Sequence, residues 1–262
     1  MILITINKVS FCFSDQLILF LLCLILTMFC SENILAEVKK TENASNPLAA
    51  VNNTDLRVKY YDLDDSSERL DYYIDGAAML NSKLKLKYEL HYWDTDVTGE
   101  DEKDLESLHL KFIYFPMEGK LKGGQPYRLA AGAEWIKDLG DTDKGIGSGA
   151  DQIAPLVGIA IGIRPGTMIV PLIQHYEGYN GDDVSQTALR LIALQTFPDK
   201  VWGKMDLKVP YDWENDEIPS SVEFQIGKSF TNSVGAYIDL QAGIGGDKSY
   251  DFATGFGLRF NY

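Results

Sequence analysis

Cysteine and histidine, the residue types most often used in nucleophilic and acid–base catalysis, are few in this sequence. The chain has three histidines, and its three cysteines all fall within the first 30 residues. If a hairpin is symmetric about Gly99, His91 faces Ser107 and His109 faces Glu89 on the neighbouring strand. Serine, histidine and carboxylate on one face are groups that hydrolases use. A lipid hydrolase is therefore a minor alternative, but no active-site motif supports it, and we predict that the protein is not an enzyme.

The elements that must position these residues follow from the hydropathy pattern. Apolar residues recur at every second position, as in Phe256, Leu258 and Phe260, and this period is typical of β-strands. Most predicted strands have a length close to the roughly 9–11 residues that a tilted strand needs to cross a bilayer. Twelve strands are predicted, at 54–61, 70–80, 83–93, 105–115, 127–136, 153–163, 167–176, 185–196, 201–211, 221–229, 234–243 and 252–262.

The connections between these strands differ in kind. Five are mostly short, whereas the alternate six are longer and carry 23 acidic and 5 basic residues. Transmembrane barrels have short periplasmic turns and long external loops. We therefore predict an all-β fold, a transmembrane antiparallel up-and-down β-barrel of about 12 strands with both termini periplasmic. A soluble periplasmic β-sandwich is the alternative fold, and it would bury the rows of apolar residues in its core.

Inward-facing charges define the chemistry of the predicted barrel, because charged side chains facing lipid are costly. We expect Lys83, Lys85, Lys87 and Lys111 to form a basic wall that favours anions. The alternative is that opposite charges pair and fill the lumen. The predicted pore-lining residues are Arg57, Lys59, Lys83, Lys85, Lys87, Glu89, His91, Lys111, Arg128, Arg190, Lys204, Asp206, Lys208, Glu223, Asp239 and Arg259.

Two further patterns concern the walls of this barrel. An inward row of small, uncharged residues from Ala154 to Gly162 has three interpretations. It would balance large side chains opposite, form a smooth wall for an apolar solute, or form a bed for an inserted segment such as loop 137–152. Aromatic residues near strand ends, among them Tyr92, Tyr176 and Trp202, are expected at the lipid interface.

The remaining organisation is set by the N-terminus and the charge. Residues 1–36 have the basic, apolar and small-residue regions of a signal peptide. Residues 37–53 are a predicted periplasmic N-terminal lead-in, and 54–262 form the barrel.

A net charge of −14 argues against nucleic acid as a partner. We expect no cofactor and no metal. Asp138, Asp141 and Asp143 leave a calcium site open as an alternative.

The sequence as a whole resembles Gram-negative outer-membrane β-barrels, above all in its last strand. There Phe256, Leu258, Phe260 and Tyr262 are similar to the C-terminal signal that these proteins show to the barrel assembly machinery. Residues 145–230, with GIGSGADQIAPLVG and YDWENDEIPSSVEFQIGKSF, resemble transporter barrels related to a phenol-degradation pathway.

These resemblances imply an outer-membrane protein in contact with outer-membrane lipid, which we expect to be a monomer. The expected function is a narrow channel or transporter for small anionic or aromatic-acid solutes. The alternative is a non-conducting structural or surface-interaction barrel.

Overall fold

Twelve antiparallel strands close into one barrel, in which each strand pairs with its sequence neighbours and β1 pairs with β12. The computed structural model describes residues 44–63 and 67–262, so the predicted signal peptide lies outside the described residues. The prediction of a twelve-stranded up-and-down barrel is confirmed, and a closed single sheet excludes the sandwich. The strands are β1 (Asn53–Leu63), β2 (Glu68–Asn81), β3 (Leu84–Thr95), β4 (Glu102–Lys120), β5 (Pro126–Asp138), β6 (Ala150–Arg164), β7 (Thr167–Gly181), β8 (Ser185–Thr196), β9 (Val201–Asp212), β10 (Ser220–Ser229), β11 (Val234–Ile244) and β12 (Tyr250–Asn261).

Helix contributes almost nothing to the described part of the chain. Two 3-10 helices of three residues each, Thr142–Lys144 and Pro198–Lys200, lie in connections. Within 44–63 and 67–262, no helix has the length and apolar character needed to cross a membrane.

Several strands run beyond their predicted limits. The fourth strand was expected at 105–115 but spans Glu102–Lys120, and the seventh reaches Gly181 rather than 176. Hydropathy alternation marks only the part of a strand that contacts an apolar phase, whereas the backbone ladder continues wherever a neighbouring strand pairs with it. The connections at one end, the long-loop end, therefore shrink to 64–67, 96–101, 139–149, 182–184, 213–219 and 245–249. The opposite end, with connections 82–83, 121–125, 165–166, 197–200 and 230–233, is called the short-turn end.

The two faces of the barrel reverse the arrangement of a soluble protein. Large apolar side chains point outward, and Phe224, Ile226 and Leu189 are each more than half exposed. Charged side chains point inward, and Asp55 and Asp239 are each 1% exposed. A continuous apolar exterior of this extent marks a lipid-contacting surface.

Two aromatic residues expected at the lipid interface lie inside the barrel instead. Trp202 is buried against Gly227, where an added Cβ would fall 2.3 Å from the indole ring. Tyr176 lies in the lumen. A residue near a strand end can face either side of the barrel, because side chains alternate along a strand. Trp202 lies two residues from Lys204 on β9 and therefore faces inward with it.

Candidate functional site

The barrel encloses a polar chamber of about 320 Å³. Eight lysine or arginine and six aspartate or glutamate side chains line it, together with two histidines. Most of the predicted pore-lining residues lie at this chamber, namely Arg57, Lys59, Lys87, Glu89, His91, Lys111, Arg190, Lys204, Asp206, Lys208, Glu223 and Arg259.

The four other predicted residues have different positions. Lys83 lies in the exposed turn between β2 and β3, so the prediction that it faces the lumen is wrong. The strand begins one residue later than expected, because the side chain of Asn81 accepts hydrogen bonds from the backbone N–H groups of Lys83 and Leu84 and caps the turn. Asp239 is 1% exposed and accepts hydrogen bonds from Arg57 and Gln225. Lys85 and Arg128 hold an inserted segment, described below.

Ion pairs neutralise much of the chamber wall where β1 closes against the last strands. The ammonium of Lys59 lies 3.1 Å from Glu223, and that of Lys204 lies 2.5 Å from the same carboxylate. Arg57 donates to Asp239 at 2.8 Å. These side chains come from strands far apart in sequence, which barrel closure brings together.

The other wall, on β2 to β5, is paired in the same way. Lys111 lies 2.8 Å from Glu134, and Lys87 lies 3.4 Å from Glu89. His91 contacts Asp71 at 3.0 Å. The basic wall predicted around Lys87 and Lys111 is therefore largely compensated by carboxylates within the lumen.

Residues 44–52, here called the plug segment, cross the lumen at the short-turn end. Only part of the predicted lead-in is described, and that part lies inside the barrel rather than apart from it. Lys85 donates to the carbonyl oxygens of Pro47 at 3.2 Å and Ala49 at 2.8 Å. Arg128 donates to the Leu48 carbonyl at 3.2 Å.

The plug segment is also held on the opposite side of the barrel. Arg259 on β12 donates to the Ser45 hydroxyl at 2.8 Å, and this hydroxyl donates to Gln225 on β10 at 3.1 Å. Near the start of β1, Asn52 accepts from the backbone N–H of Met79 at 2.7 Å. Anchors on opposite walls fix the segment across the bore.

Leu48 is the apolar anchor of the plug segment and is 1% exposed. The inward row of small residues supplies part of its socket, since Ala160 packs in the same cluster. A bed for an inserted segment was one of the interpretations of this row, but the segment suggested for it was loop 137–152 and not the plug segment. The socket is formed by Met79, Ile113, Phe115, Ala130, Ala160, Val170, Ile192 and Leu194.

The predicted register of the histidine hairpin is confirmed, with Glu89 opposite His109 and His91 opposite Ser107. The Ser107 hydroxyl lies 2.8 Å from His109 Nε2, and His109 Nδ1 lies 3.1 Å from Glu134. Ser107 is however 2% exposed, and its hydroxyl also donates to the Glu106 carboxylate. A buried hydroxyl that is donating to a carboxylate does not offer a substrate an accessible nucleophile.

The acidic loop considered for calcium is organised by its own backbone. Asp138 accepts from the N–H groups of Gly140 at 2.8 Å and Ser148 at 2.7 Å. Lys144 lies 3.1 Å from Asp104, and this hydrogen-bonded carboxylate raises the pKa of Lys144. Among the described residues, no group of three histidine, cysteine, aspartate or glutamate side chains is placed to hold a metal ion.

Comparison with solved structures identifies the class of fold. An outer-membrane channel from Pseudomonas putida F1 is similar with a TM-score of 0.65 and 8% identity, over 88% of this chain and 100% of that chain. NanC porin has a TM-score of 0.60 and 10% identity, over 80% and 100%. Outer membrane phospholipase A from Escherichia coli matches less well, at 0.50 and 12%, over 86% and 96%. No protein-family model matches the sequence, and a search of curated proteins gives no match.

The fold is therefore that of a porin-like outer-membrane β-barrel. Its structural neighbours of higher TM-score are a porin and a channel rather than an enzyme. The similar structures named here are outer-membrane proteins, in agreement with the expected outer-membrane location.

Proposed function

We propose that the protein is a narrow channel for small anionic solutes, aromatic acids among them. The observation that carries the proposal is the polar chamber, where seven of the eight lining cations pair with carboxylates but Lys208 has none within 4.0 Å among the described residues. Charged rings inside a pore select ions by sign. A porin and a channel among the similar structures, and the resemblance of residues 145–230 to transporter barrels related to phenol degradation, support the same function.

In this proposal the plug segment sets the width of the channel. We place the short-turn end, where β1 begins and β12 ends, in the periplasm, because external loops of outer-membrane barrels are the longer ones. The plug segment then narrows the periplasmic exit, and a solute passes when the segment shifts or leaves its socket. We also propose a monomer in outer-membrane lipid whose outward Phe256, Leu258, Phe260 and Tyr262 address the barrel assembly machinery.

The second candidate is a non-conducting structural or surface-interaction barrel. Two specific observations favour it: the extensive ion pairing across the lumen and the anchored plug segment. A filled barrel would use both to stabilise its interior.

Single-channel recording separates the two functions. The protein is extracted from outer membranes in detergent and inserted into a planar bilayer with a salt gradient. Discrete openings with a reversal potential of anion-selective sign support the channel. A protein that runs as a folded barrel in heat-modifiable electrophoresis yet never conducts, either as wild type or after the plug segment is loosened, contradicts it.

A further inference from the structure

We propose that Lys208 is the anion-binding residue of the lumen and that its site takes an aromatic monocarboxylate. The inference rests on the proposed function and names the solute class and the residues for it. Lys208 lines the chamber, and no carboxylate of the described residues lies within 4.0 Å of its ammonium. The nearby Asp206 carboxylate is already engaged by Arg190, at 2.5 Å, and approached by Lys204 at 3.9 Å.

The pairing of the strands places no carboxylate directly opposite Lys208. Lys208 lies directly opposite Arg190 on β8 and opposite Ser221 on β10. Like charges in register on adjacent strands repel. Arg190 is bidentate to Asp206 and thus neutralised, which makes Lys208 the position where an incoming anion gains most.

The row of residues beside Lys208 changes from polar to apolar. Leu172 on β7 is paired in register with Arg190, and Gly158 on β6 is paired with Leu172. Adjacent strands lie about 4.8 Å apart. A carboxylate at Lys208 would therefore direct an attached ring towards the side chain of Leu172, which covers Gly158 and lines the chamber.

Tyr176 supplies an aromatic surface at the same place. Its ring centroid lies 5.6 Å from the Lys208 ammonium, within the range of a cation–π contact. Leu156 also lines the chamber. One uncompensated ammonium matches one carboxylate, and a volume of about 320 Å³ is at the lower end of ligand sites, which span roughly 300–1,000 Å³. These features favour a single-ring monoanion over an acidic oligosaccharide.

The test is calorimetric titration of the detergent-solubilised full chain with benzoate, since binding can be measured whether or not the barrel conducts. Lys208→Gln is expected to weaken benzoate binding at least about tenfold, equivalent to about 1.4 kcal/mol. Lys83→Gln is the control, because it removes the same charge from an exposed turn outside the chamber. It is expected to change the affinity less than about twofold, which is below about 0.4 kcal/mol. Lys208→Arg is expected to restore binding.

The preference for an aromatic ring in the solute is tested separately. The tests are the variant Tyr176→Leu and the solute glucuronate, a monoanion that carries a polar ring. Benzoate is expected to bind more tightly than glucuronate, and Tyr176→Leu is expected to reduce that preference. Equal losses of benzoate affinity from Lys208→Gln and Lys83→Gln, with both variants folded, would overturn the site, because binding would then follow the overall charge of the barrel. No benzoate binding by the wild type also overturns it. Benzoate binding that depends on Lys208 in a barrel that never conducts would support the site and contradict the channel.

Discussion

Replacing Leu48 with alanine tests whether the plug segment closes the channel. Leu48 is 1% exposed and fills a socket of buried apolar side chains at the short-turn end. Leucine-to-alanine changes at such positions cost about 2–5 kcal/mol. The substitution raises the free energy of the closed state and not that of the open state, because Leu48 packs in its socket only while the plug segment is in place. The hydrogen bonds from Lys85 and Arg128 go to backbone carbonyls and survive the substitution.

A loss of about 3 kcal/mol from the closed state lowers the ratio of closed to open channels about a hundredfold, since each 1.4 kcal/mol is a factor of ten. Single-channel recording is therefore expected to show a large rise in open probability for Leu48→Ala. Limited proteolysis of the same samples is expected to cut within residues 44–52 faster than in the wild type.

Leu156→Ala is the control for a general loosening of the lumen. Leu156 is buried, faces inward on β6 and lies at the chamber but outside the Leu48 cluster. It is expected to lower stability while leaving the open probability close to that of the wild type. The reasoning fails if Leu48→Ala destabilises the barrel without changing its open probability, or if Leu156→Ala opens the channel equally.

Three other predictions concern the walls of the barrel. Arg259→Gln leaves the 1% exposed Asp55 carboxylate without its cation and is expected to lower the free energy of unfolding by about 3–5 kcal/mol in urea titrations. The additional change Asp55→Asn should recover most of that stability. No recovery in the double variant would contradict the pairing. Gly227→Val, which forces a side chain into an indole ring, is expected to cost about 1–3 kcal/mol, while Gly246→Ala, with open space around it, should be neutral. Finally, wild type and Ser107→Ala are expected to show the same background ester hydrolysis; covalent labelling of Ser107 by a fluorophosphonate would refute this.

Much of the fold could be predicted from the sequence, because the forces involved are local. A bilayer requires apolar side chains at every second position of a strand, so the pattern around Phe256 and Leu258 marks both the strand and its lipid-facing side. His91 lies opposite Ser107 as symmetry about Gly99 predicts, but the sequence did not indicate the β-bulge next to His91, which shifts the pairing by one residue nearer the loop. The limits of the strands were less predictable, because backbone pairing continues after the apolar pattern ends.

The state of the lumen was decided by tertiary structure alone. Lys59 meets Glu223 across 164 residues of sequence, a pairing that exists only because β1 closes on β12. Among the described cations that line the chamber, Lys208 has no carboxylate within 4.0 Å, whereas Lys87 pairs with Glu89 on its own strand, although both were predicted to face inward. The plug segment shows no periodic pattern, and its place in the bore depends on a socket that six separate strands build around Leu48. Sequence alternation tells which side chains point inward, but only the closed barrel determines which of them find partners there.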